Sequence, residues 1–87
     1  MKRENFRPAR SYANLTVGET VRVTRELQEL TQAELAERAG LSQPIVSAIE
    51  KGRISLGVER GKRIAKALGV HPAVLLFPNW EEEKASA

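Results

Sequence analysis

"TQAELAERAGLSQPIVSAIEKGR", residues 31–53, holds two short helical patterns separated by three residues, Gly40, Leu41 and Ser42. Thr31, with Glu34 three residues on, is a capping box: the hydroxyl accepts from a first-turn backbone N–H while the carboxylate reaches back to the cap's own N–H. Gly40 supplies the positive φ that ends this first segment, a conformation in which a Cβ is strained. Ser42 caps the next segment, so Gln43 and Pro44 fall in its first turn. There the N–H groups have no intrahelical acceptor, and the donor that proline lacks costs little. Pro44 therefore starts a helix and does not break one. Leu35 and Ala39 share an inward face with Val46 and Ile49, and Ala36 is small enough for the two helices to approach closely. Gly52 closes the second helix after Lys51.

This spacing is that of a helix-turn-helix. Before it, Val17, Val21, Thr24, Leu27 and Leu30 recur at helical spacing and predict a helix over about residues 17–29. After it, Ile64, Ala65 and Leu68 mark the apolar face of a helix from Gly57 or Val58 to Leu68, ended by Gly69. A last short helix, HPAVLLF, starts with Pro72 in its first turn and stops before Pro78. No strand alternation or internal repeat competes with this all-α reading. The expected organisation is a basic arm over 1–15, one domain over 16–78, and an acidic tail over 79–87.

With 87 residues, the chain has room for one small domain, to which oligomerisation would add stability. Hydrophobic residues at 41% and charged residues at 29% place it among globular chains and outside disordered ones. No apolar run approaches membrane-spanning length and the N-terminus lacks a signal-peptide stretch, so a cytoplasmic protein is expected. The absence of cysteine removes disulfides, thiolate catalysis and thiolate metal sites. One histidine, His71, and no aspartate leave neither a triad nor a multi-His metal site. No enzyme and no cofactor are expected. Basic residues concentrate in the first fifteen positions and again at Arg53, Arg60, Lys62, Arg63 and Lys66, which suits a polyanion partner. RNA fits less well, because the basic segments lack aromatic platforms for stacking bases.

The stretches TQAELAERAGLSQPIVSAIEKGR at 31–53 and IAKALGV at 64–70 resemble the Cro/CI-type helix-turn-helix family, also called the XRE family, of phage repressors and bacterial regulators. The resemblance covers about residues 16–77. It implies a five-helix, lambda-repressor-like DNA-binding domain whose third helix enters the major groove. It also implies that Gln32, Ser42 and Gln43 lie at the DNA surface, that residues 44, 45, 47 and 48 point toward base edges, and that Arg25 pairs with Glu50. A glutamate at a helix C-terminus opposes the helix dipole, which independently calls for a cationic partner. Two positions depart from the family pattern. Leu56–Gly57–Val58 replaces its usual start to the fourth helix, and Gly61 stands where leucine is usual, which implies either a close helix approach or a weak fourth helix.

Chemistry divides the roles. Gln43 can offer a donor and an acceptor together to adenine, or it can bond to Gln32 or a phosphate instead. Ser47 serves either kind of base pair. Pro44, Ile45 and Ala48 offer apolar surface suited to thymine methyl groups, and Lys51 and Arg53 suit phosphates. One such domain contacts little DNA, so a homodimer on an inverted repeat is expected. Val74, Leu75, Leu76, Phe77 and Trp80 crowd the end of the chain; Leu75 or Leu76 is expected in the core, and Phe77 and Trp80 at the dimer contact. The arm, with Arg3, Arg7 and Arg10, follows DNA, is pinned by Phe6 and Tyr12 to the domain or a partner, or is disordered. Two functions emerge: a double-stranded-DNA-binding repressor, and an antitoxin that neutralises a toxin protein and represses its own operon. The second rests on the likeness of LGVHPAVLLFP to some antitoxins of the family.

Overall fold

Cap chemistry sets most of the boundaries in the computed structural model, which describes residues 15–78. Helix α1 spans Val17–Leu27, α2 Gln32–Ala39, α3 Gln43–Glu50, α4 Gly57–Leu68 and α5 Pro72–Leu76, with no strand among the described residues. Thr16 and Thr31 each complete a reciprocal capping box, with Glu19 and Glu34 respectively. Ser42 Oγ accepts from the Ile45 amide at 3.4 Å, with Pro44 in the first turn. The turn after α2 passes through Gly40 at φ 70°, where the Leu41 amide donates back to the Ala36 carbonyl and the Gly40 amide to that of Glu37. This is a Schellman closure, and it fixes the angle at which α3 leaves α2.

The core is aliphatic. Val21, Leu35, Val46, Ile49, Ile64 and Leu75 are its largest fully buried side chains, gathered from all five helices. Helix α2 packs on α3 and α4, α1 packs on α3 and α5, and α4 packs on α5. The Gln28 side-chain amide donates to the Leu68 carbonyl at 2.7 Å and so ties the end of α1 to the end of α4. Gly61 admits α5: a Cβ there would lie 3.2 Å from a methyl of Leu76. Of the two readings of that glycine, the close helix approach is the one observed. Leu75 is buried and Leu76 half-buried.

The first helix differs from expectation in two ways. It stops at Leu27, two residues short of the predicted end, because Glu29 takes the left-handed conformation at φ 59° that glycine usually supplies. The Glu29 amide then donates to the Glu26 carbonyl and the Leu30 amide to that of Arg25, the same closure as at Gly40. The inward stripe is also rotated. Leu27, expected on the apolar face, is 80% exposed, while Gly18, Val21 and Arg25 are buried. The cause lies in α3: a Cβ on Gly18 would run into the Ile49 carbonyl oxygen and come within 2.7 Å of that of Glu50. Only a glycine lets the two backbones meet there, and that contact sets which side of α1 faces inward.

Candidate nucleic-acid interface

The end of α3 that faces α1 holds a carboxylate that is almost wholly enclosed. Glu50 is 7% exposed and Arg25 8%. The Arg25 guanidinium meets Glu50 in a bidentate fork, Nε to Oε2 at 2.7 Å and Nη2 to Oε1 at 3.0 Å, while Nη1 donates to the Leu30 carbonyl at 2.7 Å. Such planar two-point pairing is specific to arginine. The hydrogen bond to Glu50 holds the guanidinium's pKa above its ordinary value, against the opposing effect of burial. The Glu50 carboxylate also relieves the helix-dipole conflict by accepting a third bond, from the Gln32 side-chain amide at 2.9 Å. Gln32 in turn accepts from the Gln43 amide nitrogen at 2.6 Å.

This chain has a direction, and the direction follows from chemistry. An ionised carboxylate only accepts, so Gln32 must present its N–H to Glu50. Its oxygen is then turned toward Gln43, which must donate. The amide orientation of an exposed residue at the start of α3 is thereby set by an ion pair buried under its far end. What remains on Gln43 is its own oxygen and its second N–H.

The other predicted site residues spread along the same helix and just beyond it. Ser42, Gln43 and Pro44 are exposed, Ile45, Ser47 and Ala48 half-buried, and Lys51 and Arg53 exposed in the turn after the helix. Ile45 also packs against the core cluster, so only part of it is available to a ligand. The first turn of α3 therefore offers one amide and the flat ring of Pro44, with the Ser47 hydroxyl one turn further on. On α4, Arg63 donates to the Gly40 carbonyl at 3.3 Å and Arg60 to that of Ser55 at 3.4 Å, which leaves Lys62 and Lys66 exposed on the same helix. Helix α4 begins without a side-chain cap, with Gly57 at φ 71° and Leu56 buried beneath it. Phe77 is 59% exposed, whereas Trp80, the arm and the tail lie outside the described residues.

Two participants escape a reading of the sequence. Gly18 carries no local signal, because the carbonyls it accommodates lie more than thirty residues away in the chain. The Leu30 carbonyl is the other: nothing in a leucine marks its backbone as the acceptor for a buried guanidinium.

The helix-turn-helix family pattern matches residues 21–75, more than half of the chain. The chain belongs to that family. Within the helix-turn-helix family it is 47% identical over 49 residues to an uncharacterized HTH-type transcriptional regulator of Methanothermobacter thermautotrophicus, an alignment covering 56% of this chain and 71% of that protein. It is 32% identical over 62 residues to the immunity repressor protein of Bacillus phage phi105, covering 71% of this chain but only 43% of the phage protein. The chain thus spans less than half the length of that repressor. Among solved structures, the P22 c2 repressor in complex with a synthetic operator superposes with a TM-score of 0.70 at 28% identity, over 75% of this chain and 98% of that one. The five-helix arrangement is therefore that of the phage repressor domains, and the helix-turn-helix is α2 with α3.

Proposed function

We propose that the chain is a sequence-specific regulator that binds double-stranded DNA with α3 in the major groove and represses transcription as a homodimer on an inverted repeat. The observation that carries this reading is the oriented amide of Gln43. Its free oxygen and N–H form an adjacent acceptor and donor, the pair that matches adenine N6–H and N7. The relay through Gln32 and Glu50 removes the alternative amide orientation before DNA arrives, so less ordering remains to be done on binding. Pro44 and the exposed part of Ile45 suit thymine methyl groups, and Ser47 adds a hydroxyl that accepts either base pair. Lys51 and Arg53 stand beyond the end of α3, where phosphates would flank the groove. Gln32 and Ser42 act by holding and capping: one orients the reader, the other starts its helix.

A helix with one strong polar reader gives modest discrimination, of order 1–3 kcal/mol per bidentate contact. Two copies on half-sites about one helical turn apart double the base contacts and the phosphate contacts together. Phe77, exposed beside the half-buried Leu76, is the described residue that best suits the contact between copies, and Trp80 follows it in the chain. The antitoxin role rests on sequence resemblance alone; copurification of a small protein from the neighbouring reading frame is the observation that would establish it.

Selection of bound DNA from a random pool tests the main reading. The expected result is a palindrome with an adenine at equivalent positions of both half-sites. On that site Gln43→Ala is expected to lose about 1–3 kcal/mol and its preference at that base, while Arg53→Ala weakens all sequences alike and lowers the salt slope by about 1. Equal losses for both variants on selected and random DNA would refute the assignment.

A further inference from the structure

Next to the end of α3 lies a concave surface to which the proposed DNA contact assigns no role beyond Lys51 at its rim. Where the first turn of α1 meets the segment joining α3 to α4, the molecule forms an open groove of about 530 Å³. Its walls are chiefly Val17, Gly18, Ile54, Leu56, Gly57 and Leu76. An engineered cavity of about 150 Å³ is enough to hold benzene, so this groove has room for an aromatic ring and the backbone that carries it.

Two observations point to what fills it. The first is continuity: Thr16, Val17 and Gly18 are themselves part of the wall, so residues 1–14 join the fold at the rim of the groove. The second is where the aromatic residues stand. The buried apolar residues of the described core are all Val, Leu, Ile or Ala. Of the four aromatic residues, Phe6 and Tyr12 precede Leu15, Phe77 is exposed, and Trp80 follows it. Ten residues separate Phe6 from Thr16, a reach of up to about 33 Å, ample for the chain to turn back over its own first helix.

We propose that the groove is the seat of the chain's own N-terminal segment, with Phe6 as the side chain that enters it. Phe6 fits better than Tyr12 because a buried phenol needs a hydrogen-bond partner. The two carboxylates at the groove are already engaged, Glu50 by Arg25 and Gln32, and Glu19 by the Thr16 amide, and its other polar side chains, Thr16, Lys51 and Ser55, are exposed at the rim and not among the apolar walls. Seating Phe6 there holds Arg7 and Arg10 beside Lys51 at the end of α3 and extends the basic edge of that end. The inference is independent of the DNA reading, since it concerns the free protein.

Methyl-labelled full-length protein tests it by NMR, with Phe6→Ala, Trp80→Ala and a variant lacking residues 1–14. The methyls of Ile54, Leu56 and Leu76 should show ring-current shifts that vanish both in Phe6→Ala and on removal of residues 1–14. They should persist in Trp80→Ala and on dilution. The Tm of Phe6→Ala should fall by at least about 4 °C, the effect of losing one buried aromatic side chain in a domain of this size. Phe6 precedes the described helices, so folding itself is not at risk. Methyl signals unmoved by Phe6→Ala would overturn the proposal. So would signals that move with Trp80→Ala, which would give the groove to the C-terminal segment, or with dilution, which would give it to a second copy.

Discussion

Removing one partner of the Arg25–Glu50 pair should cost far more than removing both. Arg25→Met keeps the length and apolar packing of the side chain but leaves the Glu50 carboxylate enclosed, with only the Gln32 amide still donating to it. An uncompensated buried charge costs about 3–5 kcal/mol. At about 0.05–0.15 kcal/mol per residue, a chain this small has only about 4–13 kcal/mol of stability to lose. The single variant should therefore be close to unfolding at 37 °C; Glu50→Leu should also be destabilised, though less, because the guanidinium keeps the Leu30 carbonyl and the Glu26 carboxylate 3.7 Å away. The double variant removes both charges. Its remaining deficit is the Leu30 carbonyl, which loses the Nη1 donor at a cost of about 1–2 kcal/mol. Urea unfolding followed by far-UV circular dichroism, with unchanged m-values, reads these numbers directly. The sum of the single losses should exceed the double loss by at least about 3 kcal/mol. On the proposed DNA reading, the double variant should also bind DNA with an unaltered salt slope yet lose its preference at the base assigned to Gln43, because Gln32 no longer has a fixed acceptor to orient it. Additivity within about 0.5 kcal/mol would refute the reasoning. So would a double variant that keeps full base preference.

Other perturbations probe the frame around the pair. Gly18→Ala places a Cβ against the Ile49 and Glu50 carbonyl oxygens. Backbone cannot yield as a side-chain tip does, so a loss of about 1–3 kcal/mol is expected in the same urea assay despite the better helix propensity of alanine. Glu29→Gly should stabilise by about 0.5–1 kcal/mol, since the left-handed φ of 59° is strained for glutamate and free for glycine; thermal unfolding reads this as a rise in Tm. Arg25's pKa is raised by folding, so its contribution is fully present below the ordinary arginine value and is lost only as pH rises through the still higher folded value. Between pH 6 and 9 the stability difference between the chain and its Arg25→Met/Glu50→Leu variant should accordingly show no slope arising from Arg25, which a pH series of unfolding curves checks.

What could be read in advance was whatever chemistry concentrates within one helical turn. Thr31 with Glu34, Gly40, and Ser42 with Pro44 each announce a helix boundary through chemistry within one turn, so the turn between α2 and α3 was legible to the residue. The start of α4 was legible only to within one residue, Gly57 or Val58, and Gly57 is the one observed, because Leu56 and Gly57 begin that helix with no capping side chain to mark it. The end of α1 was misplaced for a similar reason: a glutamate occupies the position where the punctuating residue is normally glycine. Periodicity also gave Leu27 to the core, since a spacing pattern registers apolar residues and passes over Gly18 and Arg25, which hold the inward face by close approach and by ion pairing. At the candidate interface the residue types were visible one by one. The bond from Gln43 to Gln32 is one of the alternatives its sequence position already offered, whereas the bond from Gln32 to Glu50 crosses 18 residues of sequence and no local pattern carries it.

The placement of Glu50 links fold to recognition. A carboxylate at the C-terminal end of α3 is unfavourable by itself, since it opposes the helix dipole, and its burial adds a desolvation cost that an apolar residue would avoid. Stability alone would be served as well by two aliphatic side chains. A buried acceptor nonetheless does one thing that an aliphatic pair cannot: it forces a donor from Gln32, and through it a donor from Gln43. The direction of hydrogen bonding is thus carried from a buried carboxylate, which cannot donate, to the one exposed amide on a helix otherwise poor in polar groups. On the proposed reading, in which α3 has few base-reading groups, the conformational freedom of that amide bears directly on discrimination, and fixing it from within the core requires no further residue on the surface proposed to face DNA.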